Sequence, residues 1–363
     1  MWRALRPDAL AVLSDKGACA SFARYFDVMQ NRKNAKFAIA RQLAAGFTKD
    51  DTTAKLWDLH RQMLNEYRER ERAVDGRLMN LEESEAPQRS FLDLKVEIAH
   101  RMLENCHFCT RRCGVNRKSG KTGYCKCGSE TAVSSVFEHM GEEPELVPSG
   151  TVFTIGCTMR CLHCQNWTIS QWIEQGELYS PRNLAAAADR LRSNGCRNVN
   201  LVGGDPTPWL AQWLEAFKHV TLNVPVVWNS NSYYSEETAN LLAGFVDVYL
   251  LDFKYGNNEC ATRISDAPGY WEACTRNHVY GKEHGELLVR VLVLPGHLDC
   301  CVKPILEWIS TTLGAMTRVN LMFQYRPEWR AHELPELQRT LTAAEKKKAV
   351  QLAKGSGLAN FIT

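Results

Sequence analysis

The sequence has no uninterrupted apolar run approaching the ~20 residues that a membrane-crossing helix needs, so no membrane partner is expected. It has no charge excess: 44 Lys and Arg against 41 Asp and Glu leave a net +3, so no global field is available to hold a polyanion. Its opening residues, Met-Trp-Arg-Ala-Leu-Arg-Pro-Asp, show no apolar export-signal core, and no internal repeat is visible.

Cysteine, in contrast, is abundant. Fourteen cysteines in a chain without an export signal read as reduced thiols, and their clusters as metal sites rather than disulfides. The expected location is the cytoplasm. The 363 residues suffice for one large domain of roughly 250 residues plus an extension, and the 45% hydrophobic content can fill its core.

Cys157, Cys161 and Cys164 stand in the run Thr154-Ile-Gly-Cys-Thr-Met-Arg-Cys-Leu-His-Cys-Gln-Asn166. The spacing is C-x3-C-x2-C, and Gln165, Asn166 and Trp167 occupy the place of a fourth cysteine. Iron–sulfur cubes normally take four cysteines, so three thiolates would leave one iron of a [4Fe–4S] cluster open. A zinc knuckle is the competing reading, disfavoured because structural zinc takes four closed ligands; buried reduced thiols are the other. The run resembles that of radical S-adenosylmethionine (SAM) enzymes. The resemblance implies that the open iron binds the amino and carboxylate groups of SAM, and that an electron from the cluster splits SAM to a 5′-deoxyadenosyl radical.

Along the chain, residues 1–95 read as a helical extension. Leu56, Leu59, Met63 and Tyr67 share one helical face with His60 beside them. The charged run 67–73 reads as a solvated helix face, 82–87 as a linker, and Phe91, Leu94, Ile98 and Met102 as a further amphipathic helix. Residues 96–148 form a Cys-rich metal-binding segment. From 149 to 363, short apolar runs at 151–155, 198–202, 224–228, 246–251, 287–294 and 318–323 alternate with helical stretches at 180–193, 209–218, 235–242, 302–313 and 343–354. Alternation of this kind implies a parallel sheet with right-handed crossovers. The expected fold is α/β, a partial (β/α)6 barrel, with function at the C-terminal ends of its strands.

Those strand ends carry suitable groups. The second runs into Gly203-Gly204-Asp205-Pro206, where glycines admit a ligand to the backbone and Asp205 can accept an ammonium. The third offers Asn229, Ser230 and Asn231 for a sugar or carboxylate. The fourth places Asp252 and Lys254 on one face, and the fifth sets Arg290 within an apolar strand. Inward charges are costly unless paired or serving a ligand; a structural ion pair of Asp252 with Arg290 is the alternative.

Gly141-Glu-Glu-Pro144, the run 157–166, Gly204-Asp-Pro-Thr-Pro208, Asp252-Phe-Lys-Tyr255, Leu292-Val-Leu-Pro295 and Asn320-Leu-Met-Phe-Gln-Tyr325 resemble the pyruvate formate-lyase activating enzyme family. They are most similar to homologues with an added N-terminal Cys motif, and the resemblance covers about residues 95–363. In that family the place of Asp205 usually carries Glu and binds the methionine amino group. The segment matching Asn229-Ser-Asn-Ser232 reads Asp-Thr-Asn-Gly and, with the acid matching Asp252, helps hold a monovalent cation; Asn229 is uncharged here. Lys254 and Arg290 match positions near SAM and the reacting centre. The resemblance implies an activating-enzyme-like oxidoreductase that forms a glycyl radical in a partner protein. Methylation, epimerisation or crosslinking of a peptide or small molecule would use the same parts.

A second group, Cys106, Cys109, Cys113 and Cys125 with Cys127 as an additional candidate, packs five thiols into 22 residues among turn glycines. It suits zinc or an auxiliary [4Fe–4S] cluster, with a slight lean to zinc. Arg111, Arg112, Arg117, Lys118, Lys121 and Lys126 make this loop basic. It reads first as solvated surface, second as a dock for an acidic flavodoxin- or ferredoxin-like electron donor, and last as a nucleic-acid contact. Cys300 and Cys301, adjacent at a helix start, read as structural thiols, and neither His107 nor His163 is needed as a ligand. A non-catalytic metal-binding module that contacts nucleic acid or a protein is the reading of another class.

Overall fold

The computed structural model describes residues 2–81 and 85–363; residues 82–84 of the expected linker lie outside them. The strands are β1 (Thr131–His139), β2 (Ser149–Thr154), β3 (Glu177–Tyr179), β4 (Asn198–Gly203), β5 (Val226–Ser230), β6 (Val248–Phe253), β7 (Glu286–Leu292), β8 (Arg318–Met322) and β9 (Phe361–Ile362). They form one sheet in the order β3-β1-β2-β4-β5-β6-β7-β8-β9. Every neighbouring pair from β2 to β9 is parallel, and β1 pairs antiparallel with β2 and β3. All six expected strands are present, within two residues of their expected ends.

Strand β6 shows why these runs were legible. Both of its faces are covered, so all of Val248–Phe253 is buried and its sequence is an apolar run broken only by Asp252. Between strands, helices start at recognisable caps: Ser180 accepts from the Asn183 amide with Pro181 at the first helical position, and Thr342 and Glu345 form a reciprocal capping box. The expected helix at 302–313 is Lys303–Trp308 flanked by π-helical turns at Leu298–Val302 and Ile309–Leu313. The architecture is an open parallel α/β sheet, a partial barrel.

Residues at alternate positions of β5, β6 and β7 face inward. At the N-terminal end of this interior, Val227, Val248, Leu250 and Leu288 pack with Phe22, Tyr25 and Phe26 of the N-terminal segment. Helix Ala23–Met29 therefore stops the floor of the barrel. Glu286, at the start of β7, accepts the Arg24 and Tyr25 amides at 2.8 and 2.6 Å, while Arg24 pairs with Asp247 before β6 at 2.9 Å and with Asp75 at 2.9 Å. Helix Thr53–Asp75 buries Leu56, His60, Met63 and Tyr67, the expected face. The charged run 67–73 is not wholly solvated as expected. Glu71 turns in to Lys36 (2.7 Å) and Arg24 (3.2 Å), because the stop brings buried cations that need partners.

Across the barrel, β2 and β8 are not paired. Segment 142–145, which leads toward β2, spans this gap. Glu143 accepts from Asn320 Nδ2 at 2.9 Å and Glu145 meets Arg318 at 2.6 Å, both on β8. Among the described residues no helix is long and apolar enough to cross a membrane. Arg24→Ala leaves the buried Asp247 carboxylate without its cation, which should destabilise the chain by about 3–5 kcal/mol. Urea unfolding measures this; a change below about 1 kcal/mol would mean that the stop is held by apolar contact alone.

Candidate active site

The loop after β2 turns at Gly156, whose φ of 91° is the left-handed region that favours glycine. A side chain there would strike Cys127 Sγ and the Cys125 carbonyl. Beyond this turn, Cys157, Cys161 and Cys164 line one cavity of about 210 Å³ at the C-terminal ends of the strands, together with Gly203, Gly204, Asn229, Ser230, Asn231, Asp252, Lys254 and Arg290. The loop is anchored from behind. Arg160 and Leu162 amides donate to the Ser265 and Ile264 carbonyls at 2.9 Å each, and Asn231 Nδ2 lies 3.5 Å from Cys157 Sγ.

Burial pushes all three thiols up, Cys164 to about 11, so a metal group bound here must displace their protons. His163 also lines the cavity, but its Nε2 is 3.0 Å from Tyr255 Oη. Burial, then Lys254, pushes it down to about 3: a neutral ring already engaged. Three buried sulfur donors without a fourth cysteine on this cavity fit a cube held by three legs.

Asp205 is the one predicted site residue that does not line the cavity. Its Oδ1 accepts the Thr207 amide at 2.9 Å, and its Oδ2 accepts Ser230 Oγ at 3.0 Å and the Asn231 amide at 2.9 Å. These bonds give Asp205 a positioning task, holding Ser230 and Asn231. The two glycines before it serve packing as much as access. Side chains there would strike Thr154 and Gly156 backbone atoms, which ties β4 to the Cys loop.

The far wall carries a linked set of charges. Asp252 Oδ2 accepts from Lys254 Nζ at 2.6 Å and Oδ1 from Arg290 Nε at 2.7 Å. Arg290 also donates to Asn229 Oδ1 and stands 3.7 Å from Glu142 Oε2. The anticipated Asp252–Arg290 pair thus exists and faces the cavity. Burial works against the ionised Asp252, but Arg290 and Lys254 hold it below the usual carboxylate range. Burial likewise works against the Lys254 ammonium, which Asp252 then holds above its ordinary value.

Residues 151–309 match the radical SAM superfamily. Those residues carry a radical SAM superfamily domain. It is 42% identical over 337 residues to an uncharacterized protein, MJ0674, of Methanocaldococcus jannaschii, covering 91% of this chain and 96% of that protein. A second uncharacterized protein of that organism, MJ0808, is 24% identical over 285 residues, covering 69% and 81%. Among solved structures, Streptococcus suis SuiB bound to its precursor peptide SuiA gives a TM-score of 0.41 at 11% identity, over 56% of this chain and 46% of that one. SuiB bound to SAM gives 0.40 at 11%, over 57% and 48%. This chain spans about half the length of those two solved chains.

Outside the matched domain, the chain also brings Cys106, Cys109, Cys113 and Cys125 around a second small cavity, beside Thr158 of the first Cys loop. Cys127 does not line it; its thiol points to the Cys125 and Ile155 carbonyls at 3.4 and 3.8 Å. The Cys127 hydrogen bond is the first cause that brings Cys125 down to about 6. The basic loop is less solvated than expected. Arg117 is buried and donates to the Gly128 and Pro208 carbonyls, and Arg111 lies 3.3 Å over the Tyr124 ring. Arg112 and Lys118 pair with Glu237 and Glu104. Lys121 and Lys126 remain exposed. Arg117 and Arg111 are drawn in as donors to backbone carbonyls around the thiols.

Glu142 and Glu143 were missed as site residues. The signal was present, two consecutive acids before Pro144, but such a stretch reads as a turn. Burial, then the Arg290 and Glu142 charges acting in opposite senses, leaves Glu143 raised to about 7. An acid raised in the fold from its ordinary 4.5 contributes stability that is complete below that value and lost as pH rises through about 7. Glu143→Gln should therefore flatten the fall in unfolding free energy between pH 4.5 and 7. Glu286, raised by burial to about 7, retains part of the slope. Urea unfolding of the metal-free chain at pH 5 and 7.5 tests this; an unaltered slope in the variant would refute it.

Proposed function

We propose that this chain is a radical SAM enzyme whose Cys157, Cys161 and Cys164 hold a [4Fe–4S] cluster, with SAM in the same cavity. The observation that carries the proposal is the convergence of three thiols, and no fourth, on a cavity whose other wall bears Asp252, Lys254 and Arg290. When bound, the pair supplies reductive cleavage of SAM to a 5′-deoxyadenosyl radical that abstracts a hydrogen atom. The chain itself positions and shields. Ser230 and Asn231, fixed by Asp205, offer a hydroxyl and an amide to the sugar or carboxylate of SAM. Lys254 keeps a proton and a positive charge beside the Cys161 side of the cavity through its bond to Asp252, and Arg290 keeps Asp252 ionised.

A glycine in a partner protein is the first substrate to test, on the strength of the likeness to activating enzymes, with a peptide or small-molecule modification as the alternative. A flavodoxin- or ferredoxin-like donor would deliver the electron. Cys106, Cys109, Cys113 and Cys125 would hold an auxiliary [4Fe–4S] cluster in preference to zinc. A single zinc, with Zn–S of about 2.3 Å, keeps its sulfurs about 3.8 Å apart. Among the described residues, ligand atoms all within 4.8 Å of one another occur elsewhere and not in this quartet.

Anaerobic reconstitution followed by dithionite and SAM should yield 5′-deoxyadenosine. Cys161→Ala should lower that yield to background and remove about four irons per chain. A fully loaded, reducible cluster that releases no 5′-deoxyadenosine would rule the reading out. Deuterium carried into 5′-deoxyadenosine from a labelled backbone glycine of a partner supports the activase reading, and transfer from a labelled peptide side chain or metabolite replaces it.

A further inference from the structure

Three cysteines and a histidine outside both cavities come together from two separate loops. Cys260 lies on helix Asn258–Ser265, after β6. His297, Cys300 and Cys301 lie after β7, the cysteines within the π-helical turn Leu298–Val302, a widened turn found often at functional positions. We propose that Cys260, His297, Cys300 and Cys301 bind one zinc ion in a closed structural site.

The separations match one tetrahedral ion. Zn–S of about 2.3 Å and Zn–N of about 2.0 Å give tetrahedral edges of about 3.8 Å between sulfurs and about 3.5 Å from sulfur to nitrogen. Here Cys260 and Cys300 Sγ are 4.0 Å apart, and Cys300 and Cys301 Sγ 3.9 Å. His297 Nδ1 lies 3.3, 3.8 and 4.0 Å from the sulfurs of Cys300, Cys260 and Cys301. All four donor atoms are within 4.8 Å of one another. A disulfide would need two sulfurs at about 2.05 Å and would leave the third thiol and the imidazole without a task. A cube would need wider spacing, because each ligand then takes a different iron.

The surroundings orient these ligands as metal ligands are oriented. The far nitrogen of His297, Nε2, is buried without a hydrogen-bond partner and lies 3.6 Å from a Glu336 carboxylate oxygen, placed to complete the carboxylate–histidine arrangement of metal sites once an ion fixes the ring. Arg263 holds that carboxylate at 2.8 Å. Asn257 ties the two loops, accepting the Cys260 amide at 2.8 Å and donating to the Cys300 carbonyl at 2.9 Å. Four protein ligands leave no position for a substrate, the mark of a structural zinc. Helix Asn258–Ser265 is also the one whose last carbonyls hold the Arg160 and Leu162 amides. The ion would thus brace the β6 and β7 exits directly behind the first Cys loop. Cys300 is exposed, so zinc can reach the site from solvent. None of this depends on radical chemistry.

The full chain, purified anaerobically without iron reconstitution, provides the test by zinc and iron analysis. Cys260→Ser/Cys300→Ser should contain one zinc per chain less than wild type with unchanged iron, while Cys106→Ala/Cys109→Ala should keep that zinc. Cobalt(II) added to the zinc-free chain should give intense thiolate-to-cobalt absorption, retained in the Cys106/Cys109 variant and lost in the Cys260/Cys300 variant. Glu336→Gln, which spares every ligand, should weaken zinc binding by about 10- to 100-fold and covers the case in which the double variant does not fold. Equal zinc content and identical cobalt spectra across these proteins, or a disulfide among the three cysteines in the native chain, would overturn the proposal.

Discussion

A guanidinium inside a barrel must be answered by carboxylates, since removing each charge from water costs several kcal/mol, and Arg290 imposes this condition on its surroundings. Asp252 answers from the neighbouring strand and Glu142 from the segment between β2 and β8, which do not pair with each other. The bonds of Glu143 and Glu145 to β8 continue the same set downward, and the bond from Lys254 to Asp252 continues it up to the cavity. One connected group of charges therefore closes the gap in the sheet and fixes the electrostatics of the site. Disturbing the gap and disturbing the site are the same act.

The cysteines divide by what surrounds them rather than by their number. The triad at Cys157 sits in a cavity that also admits a polar wall. The quartet at Cys106 is enclosed by its own loop, with Arg117 and Arg111 folded in as backbone donors. The group at Cys260 is the tightest, closed by a histidine. Each successive group has less room beside its thiols, so only the first offers space for a further ligand.

The strands and the triad could be read from the sequence because their signals are local. A strand covered on both faces is a continuous apolar run, and three thiols in eight residues have one compact use. The charges Asp252, Lys254 and Arg290 were legible because alternation along a strand fixes the face. What escaped is non-local. Cys260 and His297 are separated by a helix pair and a strand, so no spacing announces them. Glu142 and Glu143 become interior because β2 and β8 do not pair with each other and the segment that carries them lies between the two. The turn that carries Asp205 was legible, but its bonds to Ser230 and Asn231 were not, since the same turn serves a carboxylate facing the cavity or facing the next loop. The amphipathic face of helix Thr53–Asp75 was clear, yet nothing in it says that helix Ala23–Met29 seals a barrel.

That seal has a consequence for traffic. With Phe22, Tyr25 and Phe26 filling the lower end, the site cavity opens at the rim where Gln165 and Gln324 are exposed. A cofactor bound there would arrive and leave by the same rim, so a spent molecule would have to clear it before the next one enters.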